Sequence, residues 1–157
     1  DLWFQGGSIS AAMIPIILFA VRWGAGWGIV AGLAFGTLKY FLGLDSFVIS
    51  WVSIVFDYTG AYAMVGLAGL FKRRASLVPV AALVAGAARF VVHYISGVTV
   101  YAEWMPETFM GMTMTSPFFY SALYNGGYML PSTLLAVVVC AALMKPLSKF
   151  LNGEDLK

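Results

Sequence analysis

Five apolar stretches, separated by charged or turn-forming residues, dominate the sequence and run from about Ser8 to Val21, Ala25 to Leu44, Phe47 to Phe71, Leu77 to Val100 and Pro117 to Met144. Four of them reach the ~20 residues that a helix needs to cross hydrocarbon. The first, at about 14 residues, predicts a tilted, partly interfacial or internally packed helix, with Ser8 and Ser10 available to cap its start. In lipid a backbone satisfies its hydrogen bonds only within helices or closed barrels, and runs this long and continuously apolar predict helices. Only 10% of the 157 residues are charged and 61% are hydrophobic, with a mean hydropathy of +0.88. That is less than half the ~25% charged content of soluble domains. The expectation is an all-α integral membrane protein, a helical bundle forming a single transmembrane domain over residues 1–157. Disorder and a collagen-like chain are excluded, and a net charge of +2 gives no reason to expect a nucleic-acid partner.

The cations are more informative by position than by sum. Five successive spans place Arg22, Lys72-Arg73-Arg74 and Lys145 with Lys149 on one side of the bilayer, which the positive-inside rule makes cytoplasmic. Asp1, Asp45, Glu103 and Glu107 then fall on the other side. The sequence opens Asp1-Leu2-Trp3, with neither an initiator Met nor the basic-then-apolar pattern of a signal peptide. Since an odd number of spans starts outside, a further helix ahead of these residues, and six in all, are expected.

Gly24, Gly28, Gly32 and Gly36 recur every four residues, which lines small side chains along one helix face. Such a face predicts close helix packing, or alternatively a sliding surface for a partner subunit. The single Cys140, within LLAVVVCAAL, excludes an internal disulfide and a zinc site built on several cysteines. With one His, and no HExxH, GxSxG or Walker A pattern, the parts of metal-dependent hydrolysis, serine hydrolysis and self-powered ATP hydrolysis are missing. No catalytic residue, metal or cofactor is therefore expected.

An ionisable group at membrane depth is costly and marks a candidate site, and Lys39, Asp57, Arg89 and His93 qualify. Ser50, Ser53, Asp57 and Gly60 share one face of the third span at helical spacing, and Gly86, Arg89, His93 and Gly97 share one face of the fourth. Two readings stay open. Asp57 pairs with Arg89 or Lys39 to hold helices together, or it belongs to a ligand site. Tyr58, Tyr94, Tyr101, Trp104, Phe118, Phe119, Tyr120, Tyr124 and Tyr128 fall at the same outer level. Some form an interfacial belt, while those beside the carboxylate would make a box for a flat cation. The connection from Val98 to Ser116 is long for a bundle and contains four methionines, which suits an adaptable lid or a segment resting on the membrane surface.

QGGSIS followed by MIPIILFAVRWG, then FDYTGAYAMVGLAGLF, RFVVHYISGV and YSALYNGGYMLP occur in this order. In these pieces the chain resembles the thiamine-specific S components (ThiT/YuaJ family) of energy-coupling factor transporters of Gram-positive bacteria. The resemblance implies a six-helix protein of the bacterial plasma membrane that captures thiamine near the extracellular side. It also implies a separate transmembrane T component and two ATPase subunits as partners. By position it implies that Asp57 meets the aminopyrimidine, with Tyr58 beside it and His93 as the site histidine. Tyr101, or else Trp104, stacks on the thiazolium, and Tyr120 and Asn125 contact the thiazolium side; Trp3 matches an aromatic of the first loop. Tyr120 and Asn125 are five apart, ~140° around an ideal helix, so they share a site only if the helix starts or bends between them or the ligand reaches across. The rivals are an S component for another vitamin, a small membrane enzyme using Asp57 and His93 as acid and base, and a purely structural bundle.

Overall fold

The computed structural model describes residues 7–42 and 50–156. Asp1, Trp3, Asp45 and the expected start of the third span at Phe47 lie outside the described residues. Six helices are described: α1 Met13–Trp23, α2 Ala25–Phe41, α3 Trp51–Phe71, α4 Val78–Thr99, α5 Pro117–Met144 and the short α6 Ser148–Asn152. Three of the apolar stretches become helices long and apolar enough to cross a membrane: α3, α4 with its 3₁₀ lead-in from Ala75, and α5. The first stretch becomes an 11-residue helix that begins at Met13 rather than near Ser8. Ser10 Oγ accepts from the Ala12 amide at 3.1 Å, ahead of the helix, so the serines shape the approach and not the cap.

The glycine register differs from expectation at its first member. Gly24 is not in a helix; at φ +99° it forms the one-residue joint between α1 and α2, a conformation open to a residue without Cβ. Gly28, Gly32 and Gly36 are buried; Gly32 and Gly36 meet the backbone of α3, and Gly28 meets both that backbone at Gly66 and Ala20 of α1. A Cβ on Gly32 would overlap the Tyr62 carbonyl, and one on Gly36 the Tyr58 carbonyl. Gly66 and Gly69 of α3 return the contact against Gly28–Ile29 and Gly24–Ala25. The seam is thus internal packing.

Helix α3 is not uniform. Ser50 and Ser53 form a reciprocal capping box at its start, a π-helical turn spans Ile54–Gly60, and the helix tightens to 3₁₀ over Gly66–Phe71. The expected face does turn inward at Ser53, which is fully buried, and at Asp57, and the π turn adds Tyr58 to it. With bonds reaching five residues back, adjacent Asp57 and Tyr58 turn towards the same space, and Gly60 leaves room for the Val55 carbonyl 2.8 Å from where its Cβ would stand. On α4 the expected face also turns inward: Arg89 and His93 are buried, and Gly86 and Gly97 admit Thr133 and Ser121 of α5.

Between α4 and α5 the chain makes a small antiparallel hairpin, Thr108–Phe109 paired with Met112–Thr113. Met110 and Gly111 at its tip both have positive φ, as a tight primed turn requires.

Candidate binding site

The π turn of α3, the second half of α4 and the first half of α5 enclose a cavity of about 100 Å³, against the ~10–15 Å³ that admits one water. Asp57, Tyr58, His93, Tyr101, Tyr120 and Asn125 all line it. Trp104 is half-exposed and is not among the described lining residues. Tyr120 and Asn125 share the cavity within one uninterrupted helix, α5. The arc of α5 from Tyr120 round to Asn125 faces inward, with Ser121, Tyr124 and Tyr128 filling it.

At the centre is a chain of hydrogen bonds across two helices. Asp57 Oδ1 lies 2.9 Å from His93 Nδ1, and Asp57 Oδ2 accepts from Ser96 Oγ at 2.8 Å. Arg89 Nε donates to His93 Nε2 at 3.3 Å. An arginine has only donors to offer, so Nε2 must be the lone-pair nitrogen, and the ring proton sits on Nδ1 facing Asp57. His93 is therefore a neutral relay between Arg89 and Asp57, and the pairing of Asp57 with Arg89 considered from sequence runs through this ring. The Tyr101 hydroxyl is also hydrogen-bonded to Asp57, so three side chains converge on this carboxylate. No other Asp or Glu lines the cavity among the described residues.

A second network ties α4 to α5. Asn125 Nδ2 donates to the His93 carbonyl at 3.2 Å and to Ser121, Ser121 Oγ donates to the Tyr94 carbonyl at 2.9 Å, and Tyr128 Oη donates to Asn125 Oδ1 at 2.7 Å. The Asn125 amide is fully engaged within the protein. Gly97 makes this approach possible, since a Cβ there would collide with Ser121.

The cavity's two cations rest on a ring. Arg89 Cζ lies 4.2 Å and Lys39 Nζ 5.6 Å from the Tyr62 ring centroid, within cation–π range. The Tyr62 hydroxyl is buried with no hydrogen-bond partner among the described residues.

Aromatic rings form the opposite wall. Tyr120, Tyr124 and Tyr128 follow one another with centroids 5.6 and 5.9 Å apart. Phe109 of the hairpin caps them edge-on to Tyr120 at 5.4 Å. Tyr124 Oη accepts from the Gly7 amide at 3.1 Å, which brings the described start of the chain over the same wall. Of the four loop methionines only Met114 is buried, and Met110 and Met112 face outward, so the cover is Phe109 rather than a methionine cushion. Tyr101, just beyond α4, has its hydroxyl pushed up to about 12 by burial, with the Asp57 charge adding to the effect. It stays protonated at any working pH.

Sequence reasoning missed Tyr62, Ser96 and Ser121. Ser96, three residues after His93, sits on a face already marked as polar, and that spacing was the available signal. Tyr62 reads as one more aromatic of a hydrophobic span, and only the close approach of α2 shows that it carries Lys39 and Arg89.

The chain is similar to known proteins over most of its length. The family described as "Thiamine transporter protein (Thia_YuaJ)" matches residues 1–152. The "Thiamine transporter ThiT" of Bacillus subtilis (strain 168) is 30% identical over 163 residues, covering 96% of this chain and 81% of the relative. The protein of the same name from Lacticaseibacillus paracasei is 29% identical, covering 95% and 79%. A solved structure of ThiT from Listeria monocytogenes superposes with a TM-score of 0.80 at 21% identity, over 96% of this chain and 86% of that one.

Proposed function

This chain belongs to the thiamine transporter protein family, and from that premise we propose that its cavity captures thiamine, with Asp57 as the anchor. It is a substrate-binding membrane component, not an enzyme; Asp57 contacts the ligand and His93 positions Asp57, neither acting as acid or base. The observation that carries the reading is the state of Asp57. It is the one carboxylate among the described lining residues, and His93, Ser96 and Tyr101 hold it in place within the cavity. A carboxylate so oriented suits the amino group of an aminopyrimidine as an acceptor, and it also offsets the charge of a thiazolium cation.

Neutral His93 contributes position, since its Nδ1–H fixes the Asp57 carboxylate while Arg89 fixes the tautomer. Tyr58 and Tyr101 frame the carboxylate, and Tyr120 with the rings below it offers faces to a flat cation. Asn125 holds α4 and α5 at the spacing the ligand needs. Phe109 on the hairpin is the closing element, because it covers the rings, edge-on to Tyr120 and tilted against Tyr124.

The cavity is built from the first part of α3, the last part of α4 and the first part of α5, so it lies at the end of the bundle opposite Arg73, Arg74 and Lys145. With the cationic end cytoplasmic, capture occurs from the extracellular side of the bacterial plasma membrane. These 157 residues contain no Walker-type loop, in keeping with uptake driven by a separate T component and two ATPase subunits of an energy-coupling factor transporter.

The test is uptake of radiolabelled thiamine by cells lacking their own transporter, supplied with this protein alone or with a T component and ATPases. Accumulation only with the complete set, abolished by an ATPase-inactive variant, is the expected result. Accumulation independent of the ATPases, or of another vitamin in preference to thiamine, would overturn the reading.

A further inference from the structure

At the end of the bundle away from the thiamine cavity, a second concavity of about 550 Å³ lies between the loop that follows α3 and the turn that joins α5 to α6. Arg73, Arg74 and Lys145 line it, and no Asp or Glu does among the described residues. Ser76, Ser148 and Asn152 supply neutral polar groups, and Met144 adds an apolar wall. The positive-inside rule accounts for cations at this end of the bundle. It does not account for their convergence on a hollow whose walls are fastened.

Three fastenings are visible. The Arg73 amide donates to the Val21 carbonyl at 2.8 Å and holds Arg73 at φ +57°, a backbone state that residues with a Cβ seldom adopt. The Arg73 side chain lies against Gly153, where a Cβ would stand 3.1 Å from Nε. The Ala75 amide donates to Asn152 Oδ1 at 3.0 Å, which clips α6 to the start of α4. The neighbouring acids are turned elsewhere: Asp155 takes a two-pronged pairing from Arg22, and Glu154 accepts from Asn152 Nδ2 at 3.2 Å. Among the described residues the three lining cations are thus left without a carboxylate within the hollow.

We propose that this basic hollow is a binding site for a phosphate group, supplied by the headgroup of an anionic phospholipid. Guanidinium forks and an ammonium, with hydroxyls beside them, are the donor set that phosphate oxygens take. The location favours lipid as the source. The hollow opens where α3 and α5 end and the fourth span begins, which is headgroup depth for helices of this length.

The experiment is native mass spectrometry of the full chain from mixed micelles of phosphatidylglycerol and phosphatidylcholine, with inorganic phosphate as a competitor. The wild type is expected to retain phosphatidylglycerol over phosphatidylcholine. Arg74→Gln and Lys145→Gln, both exposed positions, are each expected to weaken retention roughly fivefold, with thiamine affinity unchanged as the control for folding. Arg73→Gly relieves the strained backbone, so it is expected to keep or raise the melting temperature while lowering retention, a pair of effects that a merely structural role would not produce. Displacement of the lipid by inorganic phosphate would assign the site to free phosphate and overturn the lipid source. Equal retention of the two lipids, or unchanged retention in the variants, would overturn the site. So would variants that keep the lipid but lose uptake only when the ATPase partners are present, which would make the hollow a protein-docking surface.

Discussion

Helix α3 meets its neighbours in two opposite ways. Along the glycine seam with α2 it offers bare backbone: Gly32 and Gly36 sit on the carbonyls of Tyr62 and Tyr58 and Gly28 on Gly66, while beside the seam the rings of Tyr58 and Tyr62 meet Tyr40, Phe35 and Lys39. Towards α4 it offers side chains, and Asp57 reaches across to His93 and Ser96. In lipid, apolar surfaces have little hydrophobic incentive to associate, so close packing of small residues is the dependable way to fix two helices. The first interface spends α3's stability on rigidity. The second places polar groups where they are costly unless paired, and gathers several of them around Asp57. One helix thus serves as wall on one side and as site on the other, and the π turn marks where the second role begins.

The contrast predicts unlike responses to substitution. The largest effect is expected for Gly32→Leu. The atom its side chain would meet is backbone that cannot step aside, so the cost should reach about 3 kcal/mol, the upper end for overpacking. Thermal unfolding in detergent will show this as a much lowered melting temperature, and loss of binding would follow loss of fold. On the other face Arg89→Met should leave melting close to wild type yet weaken thiamine binding about tenfold, because His93 loses the donor that fixes its tautomer. The same loss should appear in His93→Ala and should not add when both are combined. Equal effects of Gly32→Leu and Arg89→Met on melting would erase the distinction between wall and site.

The smallest effect belongs to Tyr101, at the rim. Tyr101→Phe should weaken thiamine about fivefold through loss of one hydroxyl. Its titration has a definite sign. The folded chain keeps the phenol proton to about 12, against 10.0 for the ordinary group. The stabilising contribution is therefore complete below pH 10 and is lost as pH rises from there towards 12. Melting curves between those limits should fall more steeply for wild type than for Tyr101→Phe, and parallel curves would show that the hydroxyl is not sequestered.

The walls were more legible in the sequence than the site. Apolar runs announce themselves by length, and the bounds of α5 at Pro117 and Met144 coincide with the residues where charge or proline breaks the run. The spacing of Gly28, Gly32 and Gly36 predicts their burial because glycine packing needs only helical periodicity. Gly24 escaped because a chain reversal of one residue leaves no compositional trace. The ionisable set of Lys39, Asp57, Arg89 and His93 was also visible, since such residues stand out at membrane depth. How they connect was not. Periodicity assigns residues to a face on the assumption of a regular α-helix, and the π turn around Asp57 breaks that assumption through the packing of α3. That His93 would stand between Asp57 and Arg89, and that Tyr62 would carry two cations, depends on distances between helices. The placing of Tyr120 and Asn125 in the site came from family resemblance, and their separation of five residues argued against it until the width of the cavity supplied the reason.

The account turns on Asp57, and calorimetric titration of the purified wild-type chain and of Asp57→Asn with thiamine, beside their melting curves, tests it most directly. Removing one partner of a desolvated charge interaction costs ~2–5 kcal/mol, so Asp57→Asn should bind at least about 30-fold more weakly while melting at or above the wild-type temperature. Equal affinity of the two proteins, or a loss of binding matched by a loss of fold, would contradict the claim that Asp57 is the anchor of the captured cation.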